Sequence, residues 1–209
     1  MIDGALLLDK PLGISSNAAL QAAKGIYGAR KAGHAGTLDP LATGLLVLLF
    51  GEATKLAGHL LDQEKEYLAT VKLGETTTTG DAEGQIVESR AVAVDTQSLR
   101  AVLDRFLGEI EQVPPMHSAL KRGGVPLYRL AREGKDVGRQ PRRVRIASIE
   151  LLAFESPRAE VRIRCSKGTY IRTLAEDIGK ALGTGAHLRA LRRTASGRFP
   201  IEDPGVLQA

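Results

Sequence analysis

Gly33-His34-Ala35-Gly36-Thr37-Leu38-Asp39-Pro40-Leu41-Ala42-Thr43-Gly44 runs directly into the apolar segment Leu45-Leu46-Val47-Leu48-Leu49-Phe50. The second segment, bounded by Gly44 and Gly51, is far too short to span a bilayer and has the length of a buried strand. The first segment, through Thr43, reads as a loop. Its glycines permit positive φ angles or close approach of a ligand. Asp39 precedes a proline, which drives its own backbone toward extended geometry. The chain therefore carries a carboxylate on a stiff loop at the entrance to a buried strand. Taken alone, Asp-Pro is a common turn opener. The loop lacks the Gly-Lys-Ser/Thr ending that cradles nucleotide phosphates, and no dinucleotide fingerprint is present, so neither ATP nor NAD is suggested.

Working outward, strands and helices alternate without a regular period. Ala5 to Asp9 reads as a strand, and Ser15 or Ser16 caps a helix to about Tyr27. Ala53 to Leu61 is a short helix. In Glu66 to Leu73, Tyr67, Ala69, Val71 and Leu73 alternate onto one strand face. Gln85 to Val94 is extended, Ser98 to Leu107 has helical apolar spacing, and Leu127 to Glu133 is a further short helix. Val144 to Phe154 and Ala159 to Cys165 read as paired strands. Tyr170 to Leu182 is an amphipathic helix closed by Gly183, and His187 to Thr194 is a last, basic strand. This order indicates an α+β fold with a mixed or mainly antiparallel sheet flanked by helices.

The 209 residues, with neither linker nor repeat, are read as a single domain. Aromatic residues are only 4% and Trp is absent, so Leu, Val, Ile and Ala must build the core. The single cysteine, Cys165, excludes an internal disulfide or a cysteine-based zinc site. His34, His59, His117 and His187 have no ligand-like spacing, so no metal is expected. The first ten residues lack the pattern of a secretory signal, which places the expectation in the cytoplasm. The net charge of +5 is uneven: residues 1–118 carry −5 and residues 119–209 carry +10. A basic half beside an acidic half suits a polyanion such as nucleic acid.

A carboxylate that acts as a nucleophile must be ionised, and if buried it needs a cationic partner. Arginine is the natural one, permanently charged and able to bind both carboxylate oxygens. Arg172 has the best context, in Lys167-Gly168-Thr169-Tyr170-Ile171-Arg172, where a strand gives way to a helix. On spacing alone a surface helix arginine is the favoured reading.

The Gly33–Gly44 segment resembles the catalytic motif of the bacterial tRNA pseudouridine-55 synthases of the TruB type. Asp9-Lys10-Pro11-Leu12-Gly13-Ile14-Ser15-Ser16 resembles their N-terminal motif, Lys65-Glu66-Tyr67 the segment with the active-site tyrosine, and Asp81-Ala82-Glu83-Gly84 their acidic loop. Pro114 to Lys121 and Leu127 to Gly134 resemble their mobile RNA-binding insertion, about residues 114–143. Lys167 to Arg172 and Leu188-Arg189-Ala190-Leu191-Arg192-Arg193 match the last two blocks. The resemblance runs in order from about residue 3 to 203.

This resemblance implies the pseudouridine-synthase catalytic fold and an isomerase that converts a uridine in the T-loop of tRNA to pseudouridine after flipping it out. No cofactor is implied. By analogy Asp39 is the initiating carboxylate, Arg172 keeps it ionised and aimed, and Tyr67 stacks on the flipped uracil and serves proton transfer. His34 enters the T-loop, Ile171 and Leu191 wall the uracil pocket, and Asp81 belongs to a loop network near the site. Lys10 and Pro11 support the site. Tyr170 and the basic side chains Lys121, Arg132, Arg142 and Arg143 are expected to meet substrate or RNA. The insertion's basic residues would supply phosphate contacts. The expected partner is the tRNA T stem-loop, with no protein partner and no membrane, and the expected state is a monomer.

Two departures accompany the likeness. Family members usually continue into a small C-terminal RNA-binding domain of the PUA type, whereas this sequence stops at Ala209, so that domain is expected to be absent. Thr78 stands where many relatives are expected to be acidic. Two other functions compete: a guide-RNA-dependent synthase of the archaeal and eukaryotic ribonucleoprotein type, and a tRNA-binding or tRNA-folding module. The insertion argues against the first, and the presence of Asp39, Tyr67 and Arg172 together argues against the second.

Overall fold

The computed structural model describes residues 2–208. In chain order its elements are β1 (Gly4–Lys10), α1 (Ser16–Ile26), β2 (Ala32–His34), β3 (Ala42–Phe50), a 3-10 turn (Gly51–Leu56) leading into α2 (Ala57–Leu61), β4 (Lys65–Leu73), β5 (Glu75–Thr77), β6 (Ile86–Ser89), α3 (Thr96–Asp104), β7 (Gly108–Gln112), β8 (Lys121–Arg122), β9 (Val125–Pro126), α4 (Leu127–Arg132), β10 (Arg142–Glu155), β11 (Arg158–Cys165), α5 (Ile171–Ala181), β12 (Ala186–Ser196), β13 (Phe199–Pro200) and β14 (Val206–Gln208). One large sheet runs β14-β1-β3-β12-β4-β11-β10-β7, with β13 on β12 and β2 on β3. The β1–β14 and β3–β12 pairings are parallel and the others antiparallel. The fold is α+β with a mixed, mainly antiparallel sheet.

The unbroken apolar run of β3 has a physical reason. The strand lies between β1 and β12, and both of its faces are covered. Leu46, Leu48 and Phe50 join the main core with Leu20 and Ala23 of α1. Leu45, Val47 and Leu49 face a smaller cluster with Ala35, Ile201 and Val206. Each buried leucine there contributes about 1.5–3 kcal/mol. By contrast β4 and β11 alternate, burying Tyr67, Ala69, Val71 and Leu73 and then Ala159, Val161, Ile163 and Cys165. Helix α5 lays Ile171, Leu174, Ala175 and Ile178 on the sheet.

Local signals decide the helix ends. The Ser15 hydroxyl accepts from the Ala18 amide at 3.1 Å, making Ser15 the N-cap of α1. Asp95 caps α3 through Ser98 at 2.7 Å, so that helix begins two residues earlier than its apolar spacing suggests. It also ends earlier, because the amides of Phe106 and Leu107 turn back to Leu103 and Asp104, tightening the last turn. Three further differences from the sequence reading are local. The expected loop Gly33–Thr43 is shorter, since β2 pairs with β3 and takes Gly33 and His34. The expected helix Ala53–Leu61 divides into the 3-10 turn and α2. Within Gln85–Val94 only Ile86–Ser89 pairs, with β5. Among the described residues no helix is long and apolar enough to cross a membrane.

Candidate active site

The Asp39 loop is held from three sides. The Ser16 hydroxyl, buried at the start of α1, donates to the Leu38 carbonyl at 2.9 Å and accepts from the Leu38 amide at 2.7 Å. The amide of Gly13 donates to the Pro40 carbonyl at 2.9 Å, and that of Ala42 to the Asp39 carbonyl at 3.0 Å. Lys10, fully buried at the end of β1, donates to the carbonyls of Pro11 and Ile14 at 2.8 and 2.7 Å. It thereby folds the turn that carries Gly13 to Pro40. Burial pushes the Lys10 ammonium down to about 8, against the pull of Asp39 and Glu83. Lys10 and Pro11 thus shape the loop without lining the cleft it opens on.

Arg172 sits in the first turn of α5 and is almost wholly buried. One prong of its guanidinium, Nη2, stands 3.0 Å from Asp39 Oδ2 and donates to the His117 carbonyl at 2.6 Å. The other prong, Nη1, is 3.5 Å from Asp81 Oδ2 and donates to the Thr79 carbonyl at 3.3 Å. Asp81 is in turn fixed by the Thr79 hydroxyl at 2.5 Å and the Glu83 amide at 3.1 Å. Arg172 is therefore shared by two carboxylates and by a carbonyl from the stretch that opens the insertion. The Asp39 side chain keeps 40% of its surface exposed, along the edge that faces the cleft, while protein desolvates the rest. That desolvation raises its pKa, and the Arg172 charge pulls it back.

The cleft in front of Asp39 has a volume of about 510 Å³. Tyr67, Arg172, Tyr170, Ile171, Leu191, Arg142 and Arg143 all line it. Its walls come from β4, β12, the turn before α5 and the start of β10. Tyr170 is held by Gln112, whose side chain accepts from its amide at 3.1 Å and donates to its carbonyl at 3.3 Å. Across the rim, Lys167 Nζ meets Asp62 Oδ1 at 2.6 Å. Burial raises the Tyr67 phenol, and the facing Arg193 draws it back.

The sequence-derived candidates therefore divide. Asp39, Arg172, Tyr67, Tyr170, Leu191, Arg142 and Arg143 share the cleft, and Asp81 touches it through Arg172. His34 ends β2 outside the lining, half-buried, with Nδ1 enclosed and unpaired; burial and Arg193 lower its pKa. Lys121 and Arg132 also lie outside, on the insertion, in the short β8–β9 hairpin and in α4. Arg132 stands over the Tyr128 ring at 5.7 Å.

Sequence reasoning missed Ser16 as a clamp, and Lys65 and Arg193 as lining residues. Lys65 is buried and gives its ammonium to the carbonyls of Leu60, Leu61 and Gln63 at 3.3, 2.6 and 2.6 Å; burial lowers it to about 8. Arg193 donates to the carbonyls of Leu45 and Gly36 at 2.7 and 3.2 Å. The spacing of Leu191 and Arg193 on a strand was the available signal, because both then point to one face. Two close approaches shape this floor. A Cβ on Gly44 (φ +99°) would lie 2.3 Å from the Arg193 carbonyl oxygen, and one on Gly36 (φ +107°) 3.3 Å from Arg193 Nη1. Only glycine lets β3 and β12 pack so closely here.

Residues 24–171 match the model of the TruB family pseudouridylate synthase N-terminal domain, and residues 172–207 that of the tRNA pseudouridylate synthase B C-terminal domain. The tRNA pseudouridine synthase B of Thiobacillus denitrificans is 58% identical over 99% of this chain and 69% of its own length. That of Pseudomonas fluorescens is 56% identical over 99% of this chain and 68% of its own. Among solved structures, a Cbf5-Nop10-Gar1 complex gives a TM-score of 0.78 at 35% identity, over 98% of this chain and 52% of the matched one. An H/ACA RNP bound to a substrate RNA containing 2'-deoxyuridine gives 0.72 at 31% identity, over 98% and 50%. This chain thus spans about half the length of those two matched chains.

Proposed function

The chain belongs to the TruB family of pseudouridylate synthases, and from its likeness to the tRNA pseudouridine synthases B we infer that the tRNA uridine it isomerises to pseudouridine is the T-loop uridine at position 55. The observation that carries the chemistry of this reading is the Asp39–Arg172 pair, 3.0 Å apart at the edge of a cleft of nucleoside size.

The uridine leaves the T-loop stack and enters the cleft, where Tyr67 stacks on it. Such stacking is worth about 1–3 kcal/mol per base and offsets part of the cost of flipping. Asp39, ionised beside Arg172, initiates loss of the N-glycosidic bond, a task suited to a carboxylate at a glycosidic carbon. Ile171 and Leu191 keep water from the detached sugar and base. The uracil turns in place, and its C5 joins C1′. His34 fills space in the T-loop left by the extruded base. Lys121, Arg132, Arg142 and Arg143 hold phosphates, with the insertion at about 114–143 closing over the RNA.

The catalytic unit is one domain acting as a monomer in the cytoplasm, without a protein partner, cofactor or metal. Support for one unit comes from the sheet, because β12 from the second matched segment lies between β3 and β4 of the first. Catalysis without a guide RNA is favoured by the higher identity to the tRNA synthases than to the Cbf5 chains.

The test incubates purified protein with an unmodified T-arm stem-loop and no other macromolecule, then maps pseudouridine. Product at the position-55 uridine is expected. An unmodified stem-loop after wild-type treatment, restored by guide RNA and partner proteins, would transfer the chain to the guide-dependent class.

A further inference from the structure

Arg193 is 1% exposed, yet it lines the cleft. Two carbonyls, of Leu45 and Gly36, hold its guanidinium in place. Among the described residues no carboxylate lies within ion-pair distance of it, unlike Arg172 and Arg192, which meet Asp39, Asp81 and Asp9. A buried cation without a counter-ion is costly to maintain. It becomes favourable where negative charge arises during a reaction, because a preorganised charge in a dry site then acts without rearrangement. Tyr67 is the register partner of Arg193 across the β4–β12 pairing and lines the same cleft.

We propose that Arg193 is a positioning residue that holds the transient phenolate of Tyr67, allowing this one side chain to give a proton to the departing base and take one back from it. This rests on the isomerisation inferred above and assigns a residue to its proton transfers. When the N1–C1′ bond breaks, its electron pair stays on N1, which takes the phenol proton. The oxygen left on Tyr67 is then an anion facing Arg193. Rotation of the uracil brings C5 to the place N1 had occupied. The C5–C6 π pair forms the C5–C1′ bond, the proton on C5 passes to the phenolate, and the released pair restores the double bond. The phenol is regenerated, N1 keeps its proton, and no external acid or base is consumed.

The charges around the pair are defined. Arg193 faces Tyr67 from β12, Cys165 from β11 and Asp39 from its loop. Lys65, Lys10 and His34 also feel the charge of Arg193. Burial and Asp39 disfavour a phenolate, and Arg193 opposes both.

The test compares Arg193→Gln, which loses the charge, with Arg193→Lys, which keeps it. In single-turnover reactions on T-arm RNA with uridine deuterated at C5, Arg193→Gln should lose about 100-fold in rate and gain a primary isotope effect larger than the wild type's. Arg193→Lys should stay within about tenfold, with the wild-type isotope effect. In a Tyr67→Phe background Arg193→Gln should cost no more than a further twofold. NMR titration of ring-labelled tyrosine, with the Tyr67 signal assigned by Tyr67→Phe, reads the ionisation without any turnover. There Arg193→Gln should move the Tyr67 midpoint upward. That arm stands even if the T-arm RNA is not a substrate, so failure of the inferred reaction is separable from failure of the Arg193 role. An unmoved Tyr67 midpoint in folded Arg193→Gln would overturn the proposal, as would a slow variant with an unchanged isotope effect. Should Arg193→Gln not fold, Arg193→Lys decides: a Tyr67 midpoint and isotope effect close to the wild type's support the proposal, and departure of either overturns it.

Discussion

The hydroxyl of Ser16 engages both backbone polar groups of Leu38, the residue that precedes Asp39. The contact is buried and joins the first residue of α1 to the loop across 22 positions of sequence. It fixes the peptide plane from which the Asp39 carboxylate projects. Ser16→Ala leaves a buried amide and a buried carbonyl unpaired, at a cost of about 1–3 kcal/mol for each group left unsatisfied. A lower melting temperature and a kcat reduced by roughly tenfold, with KM for the T-arm RNA nearly unchanged, are the expected results. Thermal melts and steady-state kinetics on the same sample check both.

Asp39→Asn keeps the side-chain shape but removes the charge that Arg172 faces. Product formation should fall below detection while the affinity for T-arm RNA stays within a few-fold, measured by filter binding. A variant that still turns over would move the initiating role to another residue.

Arg172→Met tests the electrostatics by pH. Burial already raises the Asp39 pKa above that of an ordinary aspartate, and Arg172 draws it down. The reaction needs the ionised form, so the rate falls as pH drops through that pKa. Without the guanidinium the pKa rises further, and the acid limb moves to higher pH. The position of the limb in a single-turnover pH–rate profile, and not its height, is the measurement, because lost orientation lowers the rate at every pH.

Salt dependence tests the insertion. Lys121→Ala and Arg132→Ala each remove a cation that lies outside the cleft. For every phosphate that either side chain neutralises, the substitution should flatten the slope of log affinity against log salt by about 0.7–0.9. The chemical step at saturating RNA should be unaffected.

Gly44→Ala should be among the most damaging single substitutions. The added Cβ would lie 2.3 Å from the Arg193 carbonyl oxygen, at a backbone φ of +99°. Backbone cannot yield there without separating β3 from β12. A drop of several degrees in melting temperature, accompanied by loss of turnover, is expected in calorimetry and assay.

The elements legible in the sequence are those whose signal is local. The alternation in β4, the run in β3 and the spacing in α5 each state how many of their faces are covered. The serine cap of α1 is local and plain; the aspartate cap of α3 is equally local but stands ahead of the apolar spacing that marks the helix. Asp39 and Arg172 stand out through the motifs that carry the family resemblance, since taken alone one reads as a turn opener and the other as a surface helix arginine. Ser16 and Arg193 are illegible for the opposite reason. Ser16 looks like one more N-terminal helix residue until Leu38 is seen 22 positions away. Arg193 sits in a basic run whose charges resemble a solvated edge. Its burial depends on the pairing of β12 with both β3 and β4. Asp81 lies between these cases: its turn is local, but its link to Arg172 crosses 91 positions and exists only in the folded chain.

The place of β12 sets an order on the birth of the protein. The strand that completes the middle of the sheet follows every other long strand in the sequence. A nascent chain that has emerged through β11 has all of its other long strands, but β3 and β4 have no neighbour between them. Leu191 and Arg193 are missing from the cleft at that stage, and the partner of Gly44 has yet to arrive. The two halves can close only when residues 186–196 leave the ribosome and enter between them, so a stalled or clipped chain displays two exposed strand edges and no activity. Competence to modify RNA therefore arises in one cooperative event that waits for β12.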